Sequence, residues 1–528
     1  MPAIITDQYR ILNAETFIDS FVGIGTTGNN NYYAFLGHPN PQNTEVRNYG
    51  VSTWGNPVPN PIDSFDQENL YYDSMLFLKK VTSNDVRRVI PRLDWQTGTI
   101  YDMFRNNYSS NNLTPQTKST SLYGSNYFVL NSEFNVYVCI NNGSNPDNPD
   151  GQKSTQEPTH TNTVPQEAGN GSDGYLWKYL YTIAPSDIVK FVTTSYIPVP
   201  KVWGDTTNLN IKDAAVDGKI ETVVIKNGGS GHSFVENGVT KTSGSVSGIP
   251  ITGDGTGASI TINFSSGIID TVSVIGGSGY TYAGVRFESG QFGGKTLNPG
   301  SGQEFEVIIP PKGGHGADVY RELGAFRVML YSKFDNNVDD APDYVLGNDF
   351  SRVGLVKNPL QFGGTDLLNN TTATNLSALK LKPDASSGLT TSNVTYKPND
   401  RISQTVGVGS TAVGYVASWN PDTGILKYYQ PVGFSTLSTY SYKKLDFVGL
   451  NTAITGGSPE NLVVDTSFND KSSTVVGGKN VSLGQTFNLG KASPEIKKYS
   501  GEIIYIDNRA PVTRTSSQKE EVKIVIEF

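Results

Sequence analysis

An internal repeat constrains the middle of the chain more than any other feature. The segment Ile220–Gly231 recurs as Ile269–Gly279 with a one-residue slip, and each copy ends in Gly-Gly-Ser-Gly. Between the copies, Gly253–Ile262 is a glycine turn followed by an alternating segment, and Gly300–Ile308 echoes it more weakly. Repeats of this size bury a core only by packing on one another. We therefore predict one small antiparallel β-domain over residues 219–312.

The glycine clusters allow two sharper interpretations. The run Gly253–Gly257 (Gly-Asp-Gly-Thr-Gly) resembles a phosphate loop or part of a calcium repeat. A phosphate loop needs a following Lys-Ser/Thr and a helix N-terminus, whereas an alternating strand-like segment follows here. A calcium β-roll needs many tandem nonapeptides with an aspartate in each. The pattern favours glycines that serve turns.

Short alternating segments elsewhere also predict strands. Among 528 residues there are 56 glycines and 28 tyrosines, a balance that favours many turns and half-buried pleated surfaces. A chain of this length holds roughly three or four domains. The predicted strands outside the repeat are Asn29–Leu36, Glu133–Ile140, Tyr175–Ile183, Arg327–Tyr331, Ser351–Val356, Ala412–Trp419, Ile425–Gln430, Gly501–Asp507 and Glu521–Phe528. The turn Asn420–Gly424 predicts a hairpin.

Two segments have helical character. The first is Ala14–Phe21, with Asn13 as its N-cap and Gly23 and Gly25 ending it. The second is Asp66–Lys80. Asp63 or Asp66 could cap it, and Lys79 and Lys80 suit its C-terminal end.

No motif for catalysis or metal binding stands out. The single cysteine, Cys139, excludes an intrachain disulfide, and its alternating surroundings predict a packed side chain. The four histidines lack metal-ligand spacing, and no Gly-x-Ser-x-Gly elbow is present. A two-carboxylate glycosidase stays possible in principle, since acidic residues are numerous. We expect no enzyme activity, no cofactor, no metal and no small-molecule substrate.

The charge balance argues against nucleic acid as a partner. The net charge is −8 and the pI about 5.2, whereas nucleic-acid binding needs a basic footprint. The densest basic cluster is Arg87, Arg88 and Arg92, which we interpret as a solvated or locally paired face. In an extended segment Arg92 and Asp94 point the same way and could pair.

With no signal peptide and no run of roughly 18 apolar residues, we expect synthesis in a cytoplasm and no membrane association.

One strand candidate carries an aromatic ladder. Tyr175, Trp177, Tyr179 and Tyr181 alternate along it, directly after a polar stretch, 141–172, that predicts a long surface loop. Such a ladder could bind sugar or another protein. Cross-strand aromatic packing makes a core or a subunit interface the favoured interpretation.

Three ordered segments resemble one known family. They are Val89–Trp95, Gly171–Tyr181 and Ser500–Val512, the last followed by Glu520–Phe528. Together they are similar to the baseplate wedge subunit of T4-like contractile-tailed phages, the gene product eight family. The positions that carry the likeness are Pro91, Arg92, Asp94, Trp95, Gly174, Tyr175, Trp177, Gly501, Glu502, Tyr505, Asn508, Arg509 and Pro511. The segments Ala14–Phe21, Phe326–Phe334 and Phe350–Pro359 also fit, so that the likeness spans 1–215, 318–360 and 495–528.

The resemblance implies a fold, partners and a role. The fold would be mainly β: a layered β-sandwich core with a few short helices in side loops. The partners would be a second copy in a homodimer and other baseplate wedge proteins, located in the virion tail. The role would be mechanical, joining neighbouring wedge subunits and shifting with them when the sheath contracts, without catalytic residues or a cofactor.

Two regions depart from this pattern. Residues 219–312 and 361–493 look like β-domains inserted into loops of the core, which would then comprise 1–218, 313–360 and 494–528. Insertions at loop tips are tolerated when buried backbone is undisturbed. An alternative function follows from them, a tail adhesin that binds the host surface through these inserted domains. A cell-wall hydrolase is a third hypothesis.

Overall fold

The computed structural model describes residues 5–21, 30–37, 58, 60–335, 344, 349–430, 445–449, 452–515 and 518–528. This part of the chain is mainly β with a few short helices, which confirms the predicted class. Its sheets are antiparallel. The helices are α1 (Asp7–Asp19), α2 (Phe65–Ser74), α3 (Pro185–Phe191), α4 (Leu209–Asp213) and α5 (Val319–Glu322).

The strands are short and follow one another closely along the chain. The first eight are β1 (Tyr32–Gly37), β2 (Met75–Val81), β3 (Val86–Pro91), β4 (Phe128–Leu130), β5 (Asn135–Asn142), β6 (Gln166–Glu167), β7 (Tyr175–Thr182) and β8 (Tyr196–Pro198). The glycine-rich region holds β9 (Val223–Ser230), β10 (Ser233–Glu236), β11 (Val239–Lys241), β12 (Gly244–Gly253), β13 (Thr256–Ser265), β14 (Ile268–Ser278), β15 (Ala283–Val285), β16 (Gly290–Phe292), β17 (Lys295–Asn298) and β18 (Ser301–Val307).

The remaining strands lie in the second half of the chain. They are β19 (Arg327–Phe334), β20 (Asp349–Lys357), β21 (Thr372–Thr374), β22 (Ser377–Pro383), β23 (Arg401–Gly407), β24 (Ser410–Asn420), β25 (Ile425–Tyr429), β26 (Leu462–Val464), β27 (Lys471–Val476), β28 (Lys479–Phe487), β29 (Lys491–Ala492), β30 (Glu502–Thr513) and β31 (Glu520–Glu527). Each predicted strand outside the repeat coincides with one of these elements, although several bounds differ by a few residues. The predicted Asn420–Gly424 hairpin is confirmed between β24 and β25.

The chain forms two compact units, each assembled from separate stretches of sequence. The first comprises Met1–Thr16, Arg87–Met329 and Val525–Phe528; the second comprises Phe17–Val86 and Leu330–Ile524. The proposed division into a core with two inserted β-domains is a finer one, and it stays a prediction.

The main core of the first unit surrounds the sheet β4-β5-β7-β6. Cys139 of β5 faces Trp177 of β7, and both side chains are fully buried. Two β-bulges interrupt the pairing of β5 with β7. Bulges shift side chains between faces, so buried residues follow no strict alternation and both faces of the pair are covered. Burial also raises the pKa of the Cys139 thiol well above its usual value, which keeps it protonated and unreactive.

The glycine-rich region has its own apolar cluster, centred on β12, β13 and β14. Val246, Ile260 and Ile262 are fully buried there. The run Gly253–Gly257 forms the β12–β13 connection, and a strand follows it, so the turn interpretation is confirmed. Asp254 in this turn accepts a hydrogen bond from the backbone N–H of Thr281 at 2.9 Å, which ties the turn to the segment that follows β14.

The second unit contains two larger sheets. In one, the strand order is β21-β2-β1-β20-β30, and Tyr33 and Phe35 of β1 lie in its core. In the other, the order is β23-β24-β25-β22-β26, with Leu379 and Leu426 among its buried residues. Because β1 is central and covered on both sides, all six of its residues are buried.

Both predicted helices need correction. Helix α1 begins at Asp7, so Asn13 lies inside the helix and is not its N-cap. Gly23 and Gly25, predicted to end it, lie outside the described residues. Helix α2 begins after Ser64 and ends at Ser74. Lys79 and Lys80 belong to β2, because the four residues before them are buried in a sheet, and that burial outweighs the helical pattern.

The predicted surface loop 141–172 is also only partly right. It contains β6, which pairs with β7, and its residue Ser154 is fully buried. Polar composition indicated solvent exposure, but hydrogen bonding allows polar side chains to be buried at little cost.

An ion pair joins β18 to the rest of the first unit. The Arg105 guanidinium lies 2.6 Å from Glu306 Oε2, and Lys226 lies 3.2 Å from the same oxygen. Burial raises the pKa of Glu306, but these two cations more than offset it, so the pKa lies below its usual value. The ionised carboxylate is therefore the form that the folded chain stabilises.

We predict that Glu306→Gln lowers the free energy of unfolding at pH 7 by about 1–2 kcal/mol, because Arg105 loses a charged partner while buried. A carboxyl group with a depressed pKa stabilises the fold above its unfolded pKa, near 4.3, and loses that effect as the pH falls through the folded pKa. The difference in unfolding free energy between the variant and the wild type should therefore become smaller as the pH falls below about 5.

Chemical denaturation across this pH range measures the effect. Glu304→Gln is the matched control, since Glu304 lies two residues away on the same strand and is exposed. The prediction would be contradicted if both variants lost the same unfolding free energy. It would also be contradicted if the difference between Glu306→Gln and the wild type grew at lower pH.

Candidate functional site

We call the three segments that carry the resemblance, Val89–Trp95, Gly171–Tyr181 and Ser500–Val512, the signature segments. The first of them is held by an ion pair and by the end of a strand. Pro91 closes β3 opposite Tyr196 of β8. After it, the Arg92 guanidinium lies 2.9 Å from Asp94 and also donates to the Thr193 carbonyl at 3.1 Å. The predicted Arg92–Asp94 pair is thus confirmed. Both side chains are partly exposed, so the pair orients the segment and contributes little stability.

Trp95 connects this segment to the core of the first unit. Its backbone N–H donates to the Leu130 carbonyl at 2.8 Å, and its indole N–H donates to Ser154 Oγ at 3.0 Å. The ring packs against the cluster that contains Tyr175 and Trp177.

The aromatic ladder lies inside that cluster. Tyr175, Trp177 and Tyr181 are fully buried, and the Tyr175 and Trp177 rings are stacked with centroids 5.3 Å apart. Tyr179 is only partly buried, because a bulge shifts the register beside it. The core interpretation is confirmed for the three buried rings, which are inaccessible to sugar or to a partner.

The Tyr175 hydroxyl joins separate parts of the chain. It accepts a hydrogen bond from the Tyr101 N–H at 3.0 Å and donates to the Gln152 carbonyl at 2.7 Å. Gln152 and Ser154 therefore link the first two signature segments, one through Tyr175 and the other through Trp95. The sequence gives no sign of this link, because both residues lie in the polar stretch expected to be a surface loop.

A tight turn precedes the ladder. Gly174 has φ +73°, and a Cβ there would lie 3.1 Å from the Gly143 Cα. Before it, Asp173 accepts hydrogen bonds from the backbone N–H groups of Thr155 and Gln156, at 2.8 and 3.0 Å. The turn therefore fixes the 141–172 stretch against the start of β7.

The third signature segment lies in the second unit and builds an edge strand. Gly501 has φ +83°, and a Cβ there would lie 2.7 Å from the Lys357 carbonyl oxygen. Glu502 forms an ion pair with the Lys357 ammonium at 3.2 Å. Asn508 is buried and accepts from Arg352 at 3.3 Å. These contacts fasten β30 to β20.

Arg509 and Pro511 lie where the β20–β30 pairing is irregular. Three residues of β30, 509–511, lie opposite one residue of β20, Ser351. Proline lacks a donor for the ladder and is tolerated at such a bulge on an edge strand. Arg509 pairs with Asp507 on its own strand at 2.6 Å.

A groove runs along the outer edge of β30. Its volume is about 780 Å³. We name it the acidic groove and define it by its lining residues Pro61, Asp63, Ser64, Glu68, Tyr71 and Ile503–Ile506. Strand β30 is the last strand of its sheet, and the groove is lined by four of its consecutive residues, Tyr505 included.

Charge and an exposed isoleucine characterise this groove. Asp63 and Glu68 form no ion pair with the described residues around them. Ile504 is the additional residue of a second β-bulge and is 39 % exposed. Burial and then the charges of Glu68 and Glu502 raise the pKa of nearby Tyr72 to about 12. The groove combines an apolar wall with two carboxylates.

The first unit offers a different surface. Tyr9 and Leu12, spaced to share one side of α1, are 56 and 54 % exposed, and Ile5, just before the helix, is 68 % exposed. Beside them, a cavity of about 270 Å³ is lined in part by Arg88 and Tyr320. Arg88 reaches Glu15 at 3.7 Å, and Arg87 pairs with Asp187 at 2.8 Å, so the arginine cluster is locally paired, as predicted.

Comparison with known families identifies the region built around the aromatic ladder. Residues 115–224 match the family model described as bacteriophage T4, Gp8. This segment is Gp8-like. The match includes Gly174, Tyr175 and Trp177, and it confirms the predicted resemblance to this family. Val89–Trp95 and Ser500–Val512 lie outside the matched residues, and their likeness stays a prediction. No curated protein matches the chain.

The Gp8 match covers about a fifth of the chain and supports a structural role in a phage baseplate wedge. It ends at Val224, in the first strand of the glycine-rich region. Within the described residues, no three His, Cys, Asp or Glu side chains are grouped as a metal ion would require. No helix in the same ranges is long and apolar enough to cross a membrane.

We predict that Tyr175→Phe destabilises the Gp8-like region by about 2–3 kcal/mol, because the Tyr101 N–H and the Gln152 carbonyl both lose a buried partner. Tyr179→Phe is the matched control on the same strand. Its hydroxyl bonds only the exposed Thr182 at 2.8 Å, so the loss should stay below about 0.5 kcal/mol. Denaturation midpoints measure both, and similar values would show that the Tyr175 hydroxyl does not link these segments.

For the third segment, we predict that Gly501→Ala costs about 2 kcal/mol more than Gly363→Ala. Both glycines have positive φ, +83° and +75°, so both variants carry the same backbone strain. Only at Gly501 does the added methyl group meet backbone atoms under 3.0 Å; nothing lies within 4 Å at Gly363. Thermal unfolding compares the two, and equal shifts would refute a steric role for this position.

Proposed function

We propose that this protein is a structural subunit of a phage baseplate wedge, in a contractile tail, and that it has no enzymatic activity. The Gp8 match over residues 115–224 carries the proposal. The order of the three signature segments along the chain supports it. The proposed location is the virion tail baseplate, after synthesis in the host cytoplasm.

The positions of the signature residues suit a subunit that transmits force between its neighbours. Trp177 and Tyr175 are buried, Gly174 and Gly501 occupy turns, and Asn508 fastens an edge strand. None of these side chains forms an open pocket for a substrate. A core joined by buried hydrogen bonds between distant segments resists local opening, as transmission of force between neighbouring subunits requires.

We further propose that the subunit is a homodimer that joins neighbouring wedge proteins and shifts with them on sheath contraction. Interfaces need exposed apolar surface. The exposed side chains of Tyr9 and Leu12 on α1, with Ile5 just before it, supply such surface in the first unit, and the acidic groove supplies it in the second. Neither surface suggests binding of nucleic acid or of a small molecule.

Co-expression with candidate wedge proteins of the same phage tests this function. We expect a dimer that co-elutes with at least one wedge protein in size-exclusion chromatography with light scattering. A tail protein from outside the baseplate is the control and should elute separately. A chain that stays monomeric and binds no wedge protein, but attaches to host cells, would reject the proposal and favour the adhesin alternative.

A further inference from the structure

The hairpin β27–β28 projects from the second unit. Its base is anchored: Phe487 is fully buried, and Gln485 donates to the carbonyls of Leu376 and Ser493, both at 2.8 Å. Its tip is not. The residues from Lys479 to Ser482 are exposed, and the turn glycines Gly477 and Gly478 have open space around them. A two-stranded ribbon alone is marginally stable in water, so a covered tip would be more stable than a bare one.

The two faces of the tip differ. Val476 pairs with Lys479 and Thr474 with Val481, which places these side chains on one face. We name Val476, Lys479 and Val481 the valine–lysine face. The opposite face carries Val475 paired with Asn480, and no charge. Lys479 is the only charged residue between Ser472 and Ser482.

The acidic groove has the complementary properties. It presents the carboxylates of Asp63 and Glu68 beside the half-exposed Ile504. Opposite charges across an interface give specificity and fix orientation. The bulge at Ile504 makes the edge of β30 unsuited to a ladder with an added strand, so an occupant would bind through its side chains.

We propose that the valine–lysine face of one copy docks in the acidic groove of a second copy. The valines would cover Ile504, and Lys479 would approach Asp63 and Glu68. The tip is exposed in its own chain, so the occupant comes from another molecule. Two copies of the chain together supply both halves of this contact.

The inference rests on the proposed homodimer and names one of its contacts. A tip of a few residues is far smaller than a standard interface, which buries about 800 Å² on each partner. In a two-fold dimer each copy offers one tip and one groove, so the contact would occur twice and supplement a larger interface.

Engineered cysteines test the contact directly, because the single native cysteine, Cys139, is fully buried. Purified full-length Val481→Cys and Ile504→Cys proteins are mixed and treated with a short bis-maleimide linker. Val475→Cys mixed with Ile504→Cys is the matched control from the opposite face. Val475 is the more exposed residue, 68 % against 37 %, so random collision would favour the control.

We expect the Val481 pair to form covalent heterodimer about tenfold faster than the Val475 pair, since docking raises the effective concentration of one face only. Equal rates, or faster linkage of the Val475 pair, would overturn the contact. If light scattering shows a dimer but the Val481 pair is not linked, the contact is rejected and the homodimer proposal is retained. Binding to wedge proteins is scored separately, so failure of the proposed function is distinguishable.

Charge reversal provides an independent measurement. Lys479→Glu should weaken dimerisation about tenfold, and adding Glu68→Lys should restore it, as expected for a specific charge pair. Lys397→Glu is the control, an exposed lysine of the same unit with the same change in net charge. Sedimentation equilibrium compares the variants. Equal weakening by both lysine variants, or no rescue, would show that Lys479 does not meet the groove.

Discussion

The first unit depends on the burial of both faces of the β5–β7 strand pair. Trp177, Tyr181 and Cys139 are enclosed there, and a polar group buried beside them costs free energy unless it forms a hydrogen bond. The Tyr175 hydroxyl meets part of that requirement by joining the backbone of Tyr101 to that of Gln152. The polar stretch before β7 is thereby drawn into the core, and the signature segment that ends in Trp95 is fixed through Ser154.

The second unit obeys a related constraint at its edge. A long strand at the border of a sheet exposes backbone and attracts unwanted pairing. Strand β30 is twelve residues long and occupies that border. Two bulges and Pro511 interrupt its regularity, whereas Glu502 and Asn508 hold it to β20. One of these bulges exposes Ile504, so the same bulge that hinders pairing along the edge also shapes the acidic groove.

Sequence patterns predicted the strands well and the long-range contacts poorly. The alternation over β31 is strong, the Asn420–Gly424 turn marks the β24–β25 hairpin, and turn glycines such as those around Asp254 mark strand ends. The second helix was predicted too long, since the pattern before Lys79 suits a helix as well as a buried strand. The links through Gln152 and Ser154 could not be predicted, because they use a backbone carbonyl and a hydroxyl in a stretch without hydrophobic pattern. The acidic groove has no signature in the sequence either, because the pattern around Asp63 predicts only a helix cap.

In the proposed function, the Gp8-like region and the buried signature residues belong to a tail subunit that transmits force, and the glycine-rich and polar β-regions add surface to it. The most direct test is a cryo-electron microscopy map of isolated baseplates of the parent phage. The account predicts density for this chain within each wedge, in contact with neighbouring wedge proteins. Density only on peripheral fibres, or none in the baseplate, would contradict it.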